Sequence, residues 1–169
     1  MPEGPKLRFP PLEVPFRVVL VEPEIPPNTG AVARTCVGTG SALHLVGELG
    51  FDISEHAVRR AGLDYWPLLD LHRHADLPAF RADHPDARLH LFSANAERSY
   101  LEADFHPGDA LVFGKESVGL PPSLLEREPR VWGIPTAGGV RSLNLSNAVT
   151  VVLYEALRQS GALAKTEIR

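Results

Sequence analysis

Short apolar segments alternate with segments of helical character along most of this chain, and this alternation limits the possible folds more than any other feature. Residues 16–21 (FRVVLV) form an uninterrupted apolar, β-branched run, which is typical of a strand buried on both faces. Further strands are predicted over 42–46, 89–93, 110–113 and 131–134. Helices are predicted over 28–39, 54–62, 77–83, 122–126 and 144–160. This order favours an α/β fold with a mostly parallel sheet and helices on both faces.

Two of the predicted helices have clear end signals. Asn28 is predicted to cap the first helix, and Gly40 is predicted to stop it. The last helix begins at Asn144 and carries apolar residues at steps of three or four positions, namely Leu145, Val149, Val152 and Ala156. These steps place the four side chains on one face, so this helix is expected to pack against the sheet.

Composition narrows the class of protein. A chain of 169 residues suits one domain, and 44% hydrophobic residues exclude disorder of the whole chain. One cysteine excludes a disulfide scaffold, and no apolar run is long enough for a membrane span or a secretory signal, so we expect a cytoplasmic protein. Five prolines in residues 1–15 predict an extended arm without regular structure, followed by a single domain over 16–169.

The charge of the chain gives a mixed indication about nucleic acids. A net charge of −4 argues weakly against a dedicated nucleic-acid binder. The positive side chains are almost all arginine, which suits bidentate contacts with phosphate. A GC-rich genome or adaptation to heat would produce the same arginine bias.

Several familiar site motifs match only in part. Gly114-Lys115 resembles the end of a phosphate-binding loop, but Glu116 stands where that loop needs Ser or Thr. No Gly-x-Gly-x-x-Gly follows the first strand, which argues against a dinucleotide-dependent oxidoreductase. His72, His74 and Asp76 lack a further ligand cluster, so they are interpreted as surface residues. The other histidines look scattered, and no metal is expected.

Three segments rich in Gly, Pro or Asn follow predicted strands: Pro26–Gly30 with Arg34, Phe113–Leu120, and Ile134–Ala148. Ligands of open α/β sheets bind at the carboxyl ends of strands. Glycines permit close approach to the main chain, and loops that precede helices offer unpaired amides. The three segments therefore predict a pocket that reads a ligand such as adenine through the backbone.

Together the segments resemble the SPOUT superfamily of RNA methyltransferases, in particular its SpoU branch of ribose 2′-O-methyltransferases. In this chain, Asn28-x-Gly30-x-x-x-Arg34 resembles the first motif of the family, and Gly114-x-Glu116-x-x-Gly119-Leu120 resembles the second. Ile134-Pro135, followed by residues 142–148 (SLNLSNA), resembles the third motif of the family. Residues 22–30, 59–65 and 154–156 are most similar to the small single-domain members that act on the wobble pyrimidine nucleotide of tRNA.

The resemblance implies a C-terminal deep trefoil knot, S-adenosylmethionine as cofactor, tRNA as substrate and a homodimer that includes the last helix. The cofactor residues it implies are Leu91, Phe92, Ser93, Gly114, Glu116, Gly119, Leu120, Ile134, Ser142, Leu143 and Asn147. The catalytic and substrate-holding residues are Arg34, Asn28, Glu116, Ser142 and Asn144. Residues expected to contact RNA are Arg59, Arg60, Tyr65, Lys115 and Arg141, with Trp66 as an alternative to Tyr65 for base stacking.

Two alternatives remain open after this comparison of motifs. The same chemistry could act on another tRNA position or on ribosomal RNA, because the motifs serve the cofactor and the ribose. An RNA-binding protein without turnover is disfavoured, because Arg34 and all three motif cores are present.

Overall fold

The computed structural model describes residues 4–54, 57–58 and 62–169. The strands are β1 (Leu7–Arg8), β2 (Arg17–Val21), β3 (Ala42–Val46), β4 (Leu71–His74), β5 (Leu89–Phe92), β6 (Ala110–Phe113), β7 (Val131–Trp132) and β8 (Glu167–Ile168). The α-helices are α1 (Pro26–Thr39), α2 (Leu77–Asp83), α3 (Pro122–Arg127) and α4 (Leu145–Gln159). Short 3-10 helices lie at Trp66–Leu68, Tyr100–Glu102 and Leu163–Lys165.

The central sheet has six strands in the order β4-β3-β2-β6-β5-β7. Every pair of neighbours in it is parallel. The predicted parallel α/β architecture is therefore confirmed. The carboxyl ends of the six strands therefore lie at one edge of the sheet, and the loops after β2, β5, β6 and β7 lie together at that edge. The knot that the resemblance implies stays a prediction.

Alternate strand residues pack into two separate cores, one on each face of the sheet. Val18 and Leu20 lie in a core with α1 and α4, whereas Val19 lies in a second core with Phe80 of α2 and Leu124 of α3. This separation follows from the two-residue period of a strand. Helices on both faces are thus confirmed. Within the described ranges, no helix has the length and hydropathy that a membrane span requires.

Several element boundaries differ from the sequence prediction. Helix α1 begins at Pro26, so Asn28 lies inside its first turn, and the capping position is Ile25. Proline is well tolerated there, because the first helical amides have no partner within the helix. Strand β4 was absent from the predicted strands, and β7 is shorter than predicted. Most of the predicted helix 54–62 lies outside the described residues.

The proline-rich arm is not entirely without regular structure. Its strand β1 pairs antiparallel with β8, with Leu7 opposite Ile168. Phe9 and Leu12 are partly buried against the core that α1 and α4 share. The prediction of an arm without elements is therefore wrong for these two strand residues, because the chain ends lie close enough to pair.

The histidines are not scattered as the sequence suggested. His44, His72, His74 and His84 form a cluster of rings between the β3–β4 edge and α2. Burial, followed by the charges of the neighbouring histidines and Arg17, lowers the pKa of His44 to about 3. This residue is therefore neutral in the folded protein near neutral pH.

Candidate active site

A cleft of about 910 Å³ opens at the carboxyl ends of β5, β6 and β7. Its buried apolar lining consists of Phe92, Phe113, Leu120 and Trp132. The rings of Phe92 and Phe113 stack with their centroids 4.7 Å apart. Residues of the three motif segments and of the loop after β5 form much of the remaining wall. The cleft therefore lies where the sequence predicted a backbone-lined pocket.

Glu116 connects the second motif segment to the start of α1. Its carboxylate accepts hydrogen bonds from the backbone N–H of Glu24 at 2.8 Å and of Ile25 at 3.2 Å. It also accepts one from Asn28 Nδ2 at 3.3 Å. A negative charge near a helix N-terminus is favoured by the helix dipole. Glu116 thus holds the main chain that leads into α1.

Asn28 and Asn144 join the first segment to the third. Asn144 Nδ2 donates to Asn28 Oδ1 at 3.0 Å. The Asn144 Oδ1 atom caps α4, since it accepts from the backbone N–H of Ser146 at 3.0 Å and of Asn147 at 3.5 Å. Glu116, Asn28 and Asn144 therefore form a continuous polar bridge across the three motif segments.

A second carboxylate reinforces the contact between the first and second segments. Glu24 Oε1 accepts from the Ser117 hydroxyl at 2.6 Å and from the Ser117 backbone N–H at 3.0 Å. These hydrogen bonds lower the pKa of the Glu24 carboxyl. Glu24 and Glu116 thus each accept hydrogen bonds from the other's loop. Glu24 lies in a loop whose sequence pattern was noticed, but no pattern distinguishes this carboxylate from its neighbours.

Gly114 is required by the closure of its own loop. A Cβ at this position would lie 2.1 Å from the carbonyl carbon of Gly119 and 2.2 Å from the backbone nitrogen of Leu120. Gly119 has a φ of +72° and its N–H donates to the Lys115 carbonyl at 2.8 Å. The close approach at Gly114 is therefore between two parts of the main chain within the loop, and not only toward a ligand.

A buried polar chain stands behind Trp132. Its Nε1–H donates to His90 Nδ1 at 3.0 Å, and His90 Nε2 lies 2.8 Å from Asp109 Oδ2. Since Nδ1 accepts, the proton of neutral His90 lies on Nε2 and is donated to Asp109. On the opposite side, the Arg98 guanidinium lies 4.2 Å from the centroid of the Trp132 ring. No local pattern in the sequence indicates this row of hydrogen bonds.

Most predicted site residues that the structure describes line the cleft. They are Asn28, Phe92, Ser93, Gly114, Lys115, Glu116, Gly119, Leu120, Ile134, Arg141, Ser142, Leu143 and Asn144. Arg141 also donates to the Ser117 carbonyl at 3.4 Å. The sequence segments that were predicted to meet do meet around one cavity.

Three of the predicted cofactor and catalytic residues lie elsewhere. Leu91 is fully buried in the core with α2 and α3, because it points to the opposite face of β5 from Phe92. Its side chain therefore lies outside the cleft, and the predicted cofactor contact of Leu91 stays a prediction. Asn147 is exposed outside the lining and contacts the α4 cap through its backbone. Arg34 is exposed on α1, with its guanidinium carbon 5.9 Å from the centroid of the Tyr65 ring.

The predicted RNA-contacting residues that the structure describes lie in two places, against α1 and in the cleft wall. Tyr65 packs partly buried against α1, where its hydroxyl donates to the Gly30 carbonyl at 2.7 Å. Burial raises the pKa of this hydroxyl. Lys115 and Arg141 lie in the cleft wall, while Arg59 and Arg60 lie outside the described residues.

Comparisons with known proteins agree with the geometry. A family model described as the SpoU rRNA Methylase family matches residues 15–154. The chain is similar to a tRNA (cytidine(34)-2′-O)-methyltransferase of Burkholderia pseudomallei (strain 1106a), with 50% identity over 151 residues that cover 86% of this chain and 96% of the relative. A relative from Acidovorax sp. (strain JS42) with the same name is 47% identical over 152 residues, which cover 88% and 94% of the two chains.

Two solved structures extend the comparison. One, described as giving structural insights into the 2-OH methylation of C/U34 on tRNA, superposes with a TM-score of 0.80 at 50% identity and covers 85% of this chain and 95% of that one. An AdoMet-bound rRNA methyltransferase from Sinorhizobium meliloti superposes with a TM-score of 0.74 at 26% identity, and the match covers 89% and 61% of the two chains.

Proposed function

This chain belongs to the SpoU rRNA methylase family, and from that membership we propose that it transfers a methyl group from S-adenosylmethionine to the ribose 2′-hydroxyl of the pyrimidine nucleotide at position 34 of tRNA. The observation that carries the proposal is the 50% identity, over 86% of the chain, to a relative named for this reaction on cytidine 34. The similar structure concerned with C/U34 supports extension to both pyrimidines.

The cleft has the properties that S-adenosylmethionine requires. Its volume lies within the range of pockets that hold cofactors, roughly 300–1,000 Å³. It combines a buried aromatic base with main-chain groups of glycine-containing loops. The residues we propose to hold the cofactor are Phe92, Ser93, Gly114, Gly119, Leu120, Ile134, Ser142 and Leu143. When bound, the cofactor supplies a methyl group activated by a sulfonium.

The hydrogen-bonded bridge indicates what Glu116, Asn28 and Asn144 do. Glu116 already accepts from three N–H groups, so we assign it the role of holding the loops in position and not that of a base. Asn28 and Asn144 transmit this constraint to the third segment. Fixed placement of reacting groups can contribute about 7–11 kcal/mol to a rate enhancement.

Arg34 is proposed to act on the RNA. A guanidinium stays protonated, so it serves poorly as a base but well as a fixed positive charge. As the 2′-hydroxyl gives up its proton to solvent water, negative charge develops on the ribose oxygen, and Arg34 would stabilise that charge and orient a phosphate. Its exposed position on α1 leaves it available to an approaching substrate.

Helix α4 carries two exposed apolar side chains that no other element of the described chain covers fully. Val151 and Tyr154 of α4 are 36% and 43% exposed, and we propose that they form part of a homodimer interface in the cytoplasm. Light scattering at micromolar concentration should then report about twice the monomer mass of 18.4 kDa.

The anticodon loop is an accessible target for a small protein, because its bases are unstacked. The residues we propose to contact this loop are Arg59, Arg60, Tyr65, Lys115 and Arg141.

The substrate assignment predicts methylation of an isolated anticodon stem-loop. Purified protein with labelled S-adenosylmethionine should methylate a stem-loop with cytidine or uridine at position 34, and mass mapping should place the methyl group on that ribose. The same stem-loop with a 2′-deoxynucleotide at position 34 is the control and should not accept the label. Methylation of another tRNA nucleotide, or of ribosomal RNA alone, would contradict the substrate but not the chemistry.

The closure of the second motif loop predicts a large effect of one methyl group. Gly114→Ala should weaken S-adenosylmethionine binding by about tenfold or more, because the new Cβ cannot coexist with the Gly119–Leu120 main chain and must displace the loop. Calorimetric titration measures the change. Gly38→Ala is the matched control, since a Cβ at this helical position meets nothing within 4 Å. Equal affinities of the two variants would exclude Gly114 from the cofactor site.

A further inference from the structure

Imidazole rings from three elements converge at the β3–β4 edge of the sheet. His44 lies on β3 opposite His72 of β4, and His74 lies two residues further along on the same face. His84 follows the last turn of α2, which packs on that face. The rings of His44 and His74 stack at 5.2 Å, and the edge of His84 meets His44 at 5.0 Å.

The ring nitrogens of three of these residues face one another. One nitrogen each of His44, His74 and His84 lies within 4.8 Å of the other two. His44 Nδ1 and His74 Nε2 are 2.9 Å apart. Neutral imidazole nitrogen is a preferred ligand of zinc and of other late first-row transition metals.

A carboxylate sets the orientation of one of the rings. Asp83 Oδ2 lies 3.2 Å from His74 Nδ1. The Nδ1 atom therefore carries the proton, and the lone pair of Nε2 is directed into the cluster. A histidine held in this way by a carboxylate is the common second-layer arrangement around protein-bound zinc.

From this arrangement we propose that His44, His74 and His84 bind a divalent transition-metal ion of the zinc class, with water completing a tetrahedral shell. Without the ion, the His44 Nδ1–H donates to His74 Nε2. On binding, the His44 proton moves to Nε2, so that Nδ1 becomes a ligand and no proton is lost from the ring. The ligand set contains no carboxylate, which disfavours Mg²⁺ and Ca²⁺.

Burial and location agree with a structural ion. His44 is 1% exposed and the His74 side chain is 5% exposed, whereas His84 is only partly buried and offers a route of entry. Arg17 opposes added positive charge at the cluster, and Asp83 offsets part of it. None of the three histidines lines the cleft, so the ion would link the edge strand β4 to α2 independently of the proposed methyl transfer.

Zinc titration of the untagged full-length protein tests the site. After removal of metals with a chelator and dialysis, calorimetry should give one Zn²⁺ per chain with a dissociation constant in the micromolar range or below. At 100 times that constant, the thermal unfolding midpoint should rise by about 5–10 °C. Co²⁺ should give the absorption of a tetrahedral complex.

Variants separate this site from incidental binding by surface histidines. His84→Ala should weaken Zn²⁺ binding at least 100-fold, and Asp83→Asn, at a position that is largely exposed, should weaken it about 10- to 100-fold. His72→Ala removes a neighbouring ring outside the ligand set, and His106→Ala removes an exposed histidine paired with Asp104. Both controls should bind within threefold of the wild type. Millimolar binding by the wild type, or unchanged binding by His84→Ala and Asp83→Asn, would overturn the proposal.

Discussion

Replacing Asp109 by alanine is expected to lower the free energy of unfolding by about 3 kcal/mol, the lower end of the range for removing one partner of a buried ion pair, because the Arg88 side chain is 30% exposed. Asp109 is 3% exposed and accepts from Arg88 Nε at 3.0 Å, from Arg88 Nη2 at 2.7 Å and from the backbone N–H of His106 at 2.8 Å. Its loss also leaves the Nε2–H of His90 without an acceptor. Denaturant unfolding monitored by circular dichroism measures the change.

Asp104→Ala is the matched control for Asp109→Ala. The Asp104 side chain is 80% exposed in its pair with His106, and exposed pairs contribute only about 0–1 kcal/mol. A similar loss of stability in the two variants would contradict the role of burial. The Asp109 variant should also bind S-adenosylmethionine more weakly, because His90 orients Trp132 at the base of the cleft.

The Asp109 carboxylate should make the free energy of unfolding depend on pH below about pH 4. Burial by itself raises the pKa of Asp109, but hydrogen bonds from His90 and Arg88 outweigh burial and hold this pKa well below the usual value of 3.8. The unfolded chain therefore takes up the proton first, and the stabilisation present above about pH 4 declines as the pH falls further. Asp109→Ala lacks this component, so its unfolding free energy should fall less steeply in that range.

The layers of the fold were predictable because they follow local patterns. Buried runs such as the one in β2 and the apolar face of α4 recur at strand and helix periods that a short window reveals. Strand β4 was not predicted as a strand, because its sequence LHRH contains three polar residues. The partial burial of His72 and His74 on the α2 face depends on a histidine cluster that brings residues 44 and 84 together, and this separation exceeds any local window.

The candidate site was predictable at residues whose type is required both by the conformation of the main chain and by the motif. Gly114 directly follows β6 and Asn144 caps α4, and both residues lie at the cleft. The capping of α1 was misassigned to Asn28, because the partner that binds Ile25 N–H is Glu116, 91 residues further along the chain. The chain from Trp132 through His90 to Asp109 likewise depends on three residues that the sheet brings together.

Arg34→Ala is expected to reduce methyl transfer by roughly 10² or more while S-adenosylmethionine affinity stays nearly constant, the scale for losing one charge-stabilising donor. Arg34 lies outside the cleft lining, so truncation of its side chain removes no wall of the cofactor site. Its position beside Tyr65 on α1 suits contact with RNA and the ribose oxygen. Single-turnover transfer to the anticodon stem-loop, together with calorimetry, separates the two quantities.

Two further variants test the charge and geometry of Arg34. Arg34→Lys keeps the positive charge but not the planar fork of donors, so it should recover part of the rate if charge dominates and little if bidentate orientation dominates. Arg73→Ala removes an exposed arginine on β4 and should transfer methyl groups at the wild-type rate. Normal transfer by Arg34→Ala would show that the negative charge on the 2′-oxygen is stabilised by another group. Lost cofactor affinity in that variant would instead show that α1 helps to shape the cleft, through the Asn28 contacts at its first turn.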